Sequence, residues 1–373
     1  MIAPWRRYLK VTTRFRTANA GKPSPPMTTP LLSDKRAGAG RPGRRSYHRL
    51  VSTASLLSRV PAPSRAVQRL IAGAAVVGQA GLAVTGAVVR VTESGLGCTT
   101  WPQCQPGSLV PVTDPVGGQV HQWIEFGNRL LGGGLGVVSA LCVLMALFAK
   151  PRRRRVIVLA LMMPLGVVAQ AVIGGITVLT GLQWWSVAPH FLASMPLIWL
   201  AVLLFRAVGE GDAPARPLLP RPLLGLQLVQ AVIVGLILIA GTLVTAAGPH
   251  AGDIKTPRLD IPVATLAQIH ADLVFLLIGT LLALGFGMRI KAAAAVQWRR
   301  YWVLVGIVLA QSVVGLVQYW TGVPDILVLV HVFGVTLILI AAASLWTASR
   351  DRGPAPVVAA AEPASEPELA SSR

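Results

Sequence analysis

VATLAQIHADLVFLLIGTLLALGFGM occupies residues 263–288. It is long enough for a membrane-spanning helix of about 20 apolar residues, and it carries His270 about one turn inside. A histidine in that position is costly unless something binds it. Seven further apolar stretches accompany it, near 67–89, 130–149, 156–181, 188–208, 223–247, 302–322 and 326–346. The 373 residues are 53% hydrophobic and 13% charged, with a mean hydropathy of +0.62, outside the range of soluble globular domains. The chain reads as an all-α membrane protein with eight transmembrane helices.

The connections alternate in charge. The N-terminal segment, PRRRR at 151–155, the loop with Arg206, Arg216 and Arg221, the patches near 289–300, and Arg350 with Arg352 are basic, and the intervening loops are nearly neutral. The positive-inside rule then puts both termini in the cytoplasm or matrix, with the loops at 90–123 and 248–262 outside. Topology thus accounts for the net charge of +20, and no nucleic-acid partner is expected. Residues 1–66, rich in Arg, Ser, Pro and Thr with Asp34 as their single acid, cannot bury enough apolar surface to fold alone. They fit a disordered cytoplasmic tail, an over-long start with Met27 as the true one, or an organellar transit peptide. The Ala, Val, Gly and Arg content favours a bacterial tail, and so a bacterial cell membrane over a mitochondrial inner membrane. Residues 349–373 read as a second disordered tail.

The two halves repeat each other. AQAVIGGITVLTG at 169–181 matches AQSVVGLVQYWTG at 310–322, an offset of 141 that also relates His190 to His331. Asn128 falls opposite His270 at an offset of 142, and GAVV at 86–89 echoes GTLV at 241–244. Each unit, 67–210 and 211–348, has four spans, so both enter the membrane in the same orientation. The expected architecture is two tandem four-helix bundles related by a pseudo-two-fold axis along the membrane normal. Asn128, His190, His270 and His331 all fall in or next to the first turns of helices running from outside to inside. At about 1.5 Å rise per residue they share one outer-leaflet depth, which lets two helices present imidazoles to opposite faces of a flat macrocycle.

His270 and His331 form the stronger pair, expected to ligate a metal or heme, with neutral imidazole favoured by the apolar setting. The first-half pair is Asn128 and His190. Asparagine is a poor iron ligand, so His190 would leave the other face open. Glu125, one turn above Asn128, reads as a helix-end carboxylate paired with Arg129 or as a proton-handling group. Arg90 and Arg129 stand at the outer boundary, where they either snorkel or hold propionates. His121 reads as a loop residue, and Gln170 and Gln311 as interhelical hydrogen-bonders. Cys98 and Cys104 lack a second pair of zinc ligands nearby. A disulfide, structural or redox-active, is favoured if their loop faces an oxidising compartment. Cys142 reads as packing.

GAVVRVTESGLGCTTWPQC at 86–104, EFGNR at 125–129 and single histidines on the fourth, sixth and eighth spans together resemble the heme A synthase family over residues 67–347. The resemblance implies eight helices in two halves and conversion of heme O to heme A by oxidation of a ring methyl to a formyl group, for terminal oxidases. It implies that His270 and His331 ligate a heme b cofactor and that His190 lies on the substrate side. Glu125 would be the essential acid, and Cys98 with Cys104 the outer-loop pair. Asn128 departs from the family's Glu-x-x-His-Arg motif. The partners implied are heme O, the lipid bilayer, an upstream heme O synthase and an unidentified electron donor or acceptor. A heme-binding membrane electron-transfer protein is the alternative, and a transporter fits less well because its site would lie near the bilayer midplane.

Overall fold

The computed structural model describes residues 61–112 and 119–356. The expectations for Met27, Asp34 and the rest of the chain before residue 61, and for residues 357–373, lie outside the described residues. Eight helices follow one another: α1 (Arg65–Val91), α2 (Gln119–Phe148), α3 (Arg154–Leu179), α4 (Trp184–Gly209), α5 (Arg221–Ala247), α6 (Val263–Ile290), α7 (Ala295–Trp320) and α8 (Asp325–Ala348). All eight are long and apolar enough to cross a membrane, and the protein is a multi-pass, all-helical membrane protein.

Two helices begin well before their apolar stretches. α2 starts at Gln119, eleven residues ahead of 130, because Gln122 and Glu125 are buried against the preceding loop. Hydropathy alone cuts such a helix short. His121 is therefore a helical residue in the first turn of α2, which corrects its reading as a loop residue, and its Nδ1 lies 3.0 Å from the Ser94 hydroxyl. α7 likewise starts at Ala295, where buried Gln297 donates to the carbonyl of Ala348 at 3.3 Å. The early start of α2 places Asn128 further along its helix than the three histidines stand along theirs. Asn128 is the tenth residue of α2, His190 the seventh of α4, His270 the eighth of α6 and His331 the seventh of α8.

Packing differs between the halves. α1, α2, α3 and α4 close into a ring in which each touches both neighbours. Small residues allow the approach: Ala72, Ala75 and Ala160 are fully buried with Cys142, Met163 and Leu204. In the second half α5 pairs closely with α6 and α7 with α8, but α6 touches α7 only slightly and α5 makes at most a marginal contact with α8. A cavity of about 360 Å³ lies in this gap, lined by Leu238, Leu277, Leu281, Leu304, Val308 and Leu339 among others. The halves meet through α1, α4, α5 and α8, with Ala80, Met195, Ile198, Leu238 and Leu339 buried between them.

The basic loops are also ordered by their charges. Arg153 meets Asp212 at 2.6 Å and Arg155 meets Glu210 at 3.0 Å, and the hydrogen bond from Arg153 holds the Asp212 carboxyl below the usual carboxylate range. Residues 349–356, read from the sequence as the start of a disordered tail, are fastened here. Strand β1 (Arg216–Pro217) pairs antiparallel with β2 (Arg350–Asp351), and Leu218 N–H donates to Ser349.

Candidate functional site

The ring centres of His270 and His331 lie 6.3 Å apart with the planes inclined by 54°. Nδ1 of His270 is 3.0 Å from the carbonyl oxygen of Ile237 on α5. Only a protonated Nδ1 can donate to that carbonyl, which leaves the lone pair on Nε2. A backbone carbonyl holding the second ring nitrogen is the usual arrangement behind a metal-bound histidine. A metal bonded to one nitrogen of each ring at roughly 2.0–2.1 Å would separate the ring centres by roughly 6 Å. The observed spacing therefore fits an axial pair. His331 is oriented from α7, where Gln311 donates to its carbonyl at 2.6 Å, and its buried Nδ1 has no hydrogen-bond partner.

The repeat extends to these supports. Gln170 on α3 donates to the carbonyl of His190 at 3.2 Å, as Gln311 does for His331, and His190 Nδ1 is likewise buried without a partner. Both glutamines thus make the interhelical bonds expected of them. Among the described residues no three of His, Cys, Asp and Glu gather around a point that would hold a bare ion. Two facing imidazoles instead suit a metal whose remaining ligands arrive with a macrocycle.

The first half is covered by the loop between α1 and α2, described over residues 92–112. Glu125, 6% exposed, accepts the Cys98 N–H at 2.7 Å on Oε2 and Arg129 at 2.6 Å on Oε1. Arg129 also donates to the carbonyls of Thr100 at 3.0 Å and Gln103 at 3.1 Å. The Cys98 and Cys104 sulfurs are 2.05 Å apart and both residues are fully buried. Gly97 sits so close to the backbone of His121 that a side chain would not fit, and Trp101 lies over Gly175 of α3. Arg90 is engaged elsewhere: its guanidinium bonds the carbonyls of His250 and, at 3.2 Å, Thr245, tying α1 to the second half. Asn128 is held by the Thr85 hydroxyl at 2.7 Å.

Sequence reading missed several supports. Gly174, Gly241 and Gly315 pack against His190, His270 and His331. The first and third stand at identical positions of the repeat, so a signal was present. Thr85, Trp101 and the carbonyl of Ile237 carried none, because each acts through a contact between distant segments.

Fold alone puts the protein in the class of multi-pass helical membrane proteins that carry inward histidines. The profile of the cytochrome oxidase assembly protein family, COX15-CtaA, matches residues 69–343, about three quarters of the chain, and the chain belongs to that family. Among its relatives is the heme A synthase of Geobacillus kaustophilus, 33% identical over 137 residues, which are 35% of this chain and 40% of that protein. The heme A synthase of Lysinibacillus sphaericus is 34% identical over 142 residues, 37% of this chain and 44% of that protein. The chain thus matches less than half the length of these two relatives. The heme A synthase of Azorhizobium caulinodans is 28% identical over 312 residues, 70% of this chain and 88% of that protein.

Proposed function

We propose that the protein is a heme A synthase, an oxidoreductase that takes heme O from the membrane and oxidises one ring methyl to a formyl group. The observation that carries this reading is the facing pair His270 and His331, 6.3 Å apart inside a member of this family. These two imidazoles would hold a heme b iron in the second half, residues 211–348. Bound heme b supplies one-electron redox chemistry. The protein's share is to fix the rings: Ile237 selects the His270 tautomer, and Gln311 orients α8 at His331.

The first half, residues 67–210, takes heme O as substrate with His190 toward its iron. Glu125 carries a negative charge beneath the outer loop, balanced by Arg129, and stabilises positive charge or moves a proton as the methyl is oxidised. Cys98 and Cys104 form a disulfide that keeps the loop over this half, which excludes water from the site. The reaction implies an upstream heme O synthase and an electron partner. The repeat-matched bonds from Gln170 and Gln311 support two tandem halves related by an axis along the membrane normal. We read the location as a bacterial cell membrane with both termini cytoplasmic.

One observation favours a second reading. Asn128 replaces a potential axial ligand, which an electron carrier with heme b alone would tolerate. Co-expression with a heme O synthase in a host that makes no heme A separates the two. Heme A or its hydroxylated precursor, identified by mass, is the expected product. Bound heme b with heme O untouched would favour the carrier.

A further inference from the structure

Three imidazoles in this protein are seated alike. A methyl group built on Gly174, Gly241 or Gly315 would lie 3.1, 3.2 or 3.2 Å from Cε1 of His190, His270 or His331. Each ring edge therefore rests on bare backbone of the preceding helix, and the missing Cβ is what admits it. Gly174 and Gly315 are mates in the repeat. The mate of Gly241, through GAVV and GTLV, is Gly86 on α1. There the same methyl would meet nothing within 4 Å.

The residue that α2 brings to this level is Asn128. Its carboxamide is bonded to the hydroxyl of Thr85, immediately before Gly86, at 2.7 Å. The side chain is shorter than histidine and is bonded to Thr85, and the surface of Gly86 stays uncovered. Three seats are filled and the fourth keeps its shape without its ring. Other helical glycines, Gly81 and Gly127 among them, are equally open; what singles out Gly86 is its place in the repeat, opposite Gly241, with Asn128 where the second half has His270.

We propose that Gly86, Thr85 and Asn128 form a small-ligand site on the face of the substrate heme opposite His190, admitting a neutral ligand of imidazole size or smaller. This rests on the reading that the first half takes heme O with His190 toward the iron. The second half, with both seats filled, is closed to such ligands. Asn128 is a positioning residue here: with Thr85 it presents an amide and a hydroxyl beside Gly86.

The test uses the full chain in lipid nanodiscs, loaded with ferric heme O, and imidazole as the probe. One heme should be low-spin and indifferent to imidazole. The other should be high-spin and convert to low-spin on titration. Asn128→His should make the second type low-spin without added imidazole and abolish the titration. Gly86→Val should weaken imidazole binding by about tenfold or more, as expected of a side chain forced into contact with a ligand. Combined with Asn128→His, it should return that heme to high spin. The unchanged low-spin signal of the second half reports folding in each variant. A first-half heme already low-spin in the unaltered protein, or an imidazole titration that neither substitution alters, would overturn the proposal. Failure of the underlying reading has a different signature: no heme O retained beside a normal second-half signal, or a heme O spectrum indifferent to His190→Ala.

Discussion

At the scale of single residues, Glu125 carries two tasks that substitution can separate. Both of its oxygens are committed, one to the Cys98 N–H and one to Arg129, so the carboxylate fastens the loop whatever else it does. Glu125→Gln keeps the shape and an acceptor for Cys98 but removes the charge. If that charge serves the oxidation, Gln and Ala should both cut heme A formation by about 100-fold or more, with heme b retained. Turnover near the unaltered level in the Gln variant would reduce Glu125 to a fastener. Glu125→Ala should also lower thermal stability by about 1–3 kcal/mol, the scale of a lost hydrogen bond to a charged group. The histidines make a sharper case. His270→Ala or His331→Ala should weaken heme b retention by more than about 100-fold, since even outer-shell changes at metal sites cost 10–100-fold. Purified variants with normal heme content would remove the ligand assignment.

At the scale of helices, the histidines depend on their neighbours. Gly241→Ala and Gly315→Ala each place a methyl 3.2 Å from Cε1 of a ring, an overpacking worth about 1–3 kcal/mol. Both should tilt a ligand and shift the low-spin heme b spectrum without abolishing binding. Spectra unchanged in both variants would show that the rings have room to move. This dependence also marks what the sequence could disclose. The spans, the repeat and the matching positions of His190, His270 and His331 along their helices were legible, because hydropathy and spacing are one-dimensional signals. The start of α2 was not, since Gln122 and Glu125 are polar residues buried by a loop and not by lipid. Nor was the engagement of Arg90 with His250, which joins residues 160 apart in the chain. The open gap between the helix pairs of the second half was also illegible, because the repeat predicts two like bundles and the packing differs.

At the scale of the whole molecule, chemistry depends on which end faces out. The described loops sort by charge. Residues 150–155, 206–221, 289–300 and 350–352 are basic and share one end, while the opposite end holds Asp253 and Asp260 beside Lys255 and Arg258 and no such cluster. In the proposed orientation, which follows the rule that basic loops stay inside, the cysteine loop and the four matched residues lie on the outer side. That side is where a disulfide persists in a bacterial membrane protein. Two exposed positions test it, Lys255 between α5 and α6 and Lys291 between α6 and α7. The native cysteines give a quiet background, since Cys98, Cys104 and Cys142 are all fully buried. In intact cells a membrane-impermeant maleimide should label Lys255→Cys and spare Lys291→Cys until the membrane is opened. The reverse pattern would put Cys98 and Cys104 in a reducing compartment, where their bond would not last. Glu125 would then lose the fixed Cys98 N–H that now holds it, so orientation, loop and acid stand or fall together.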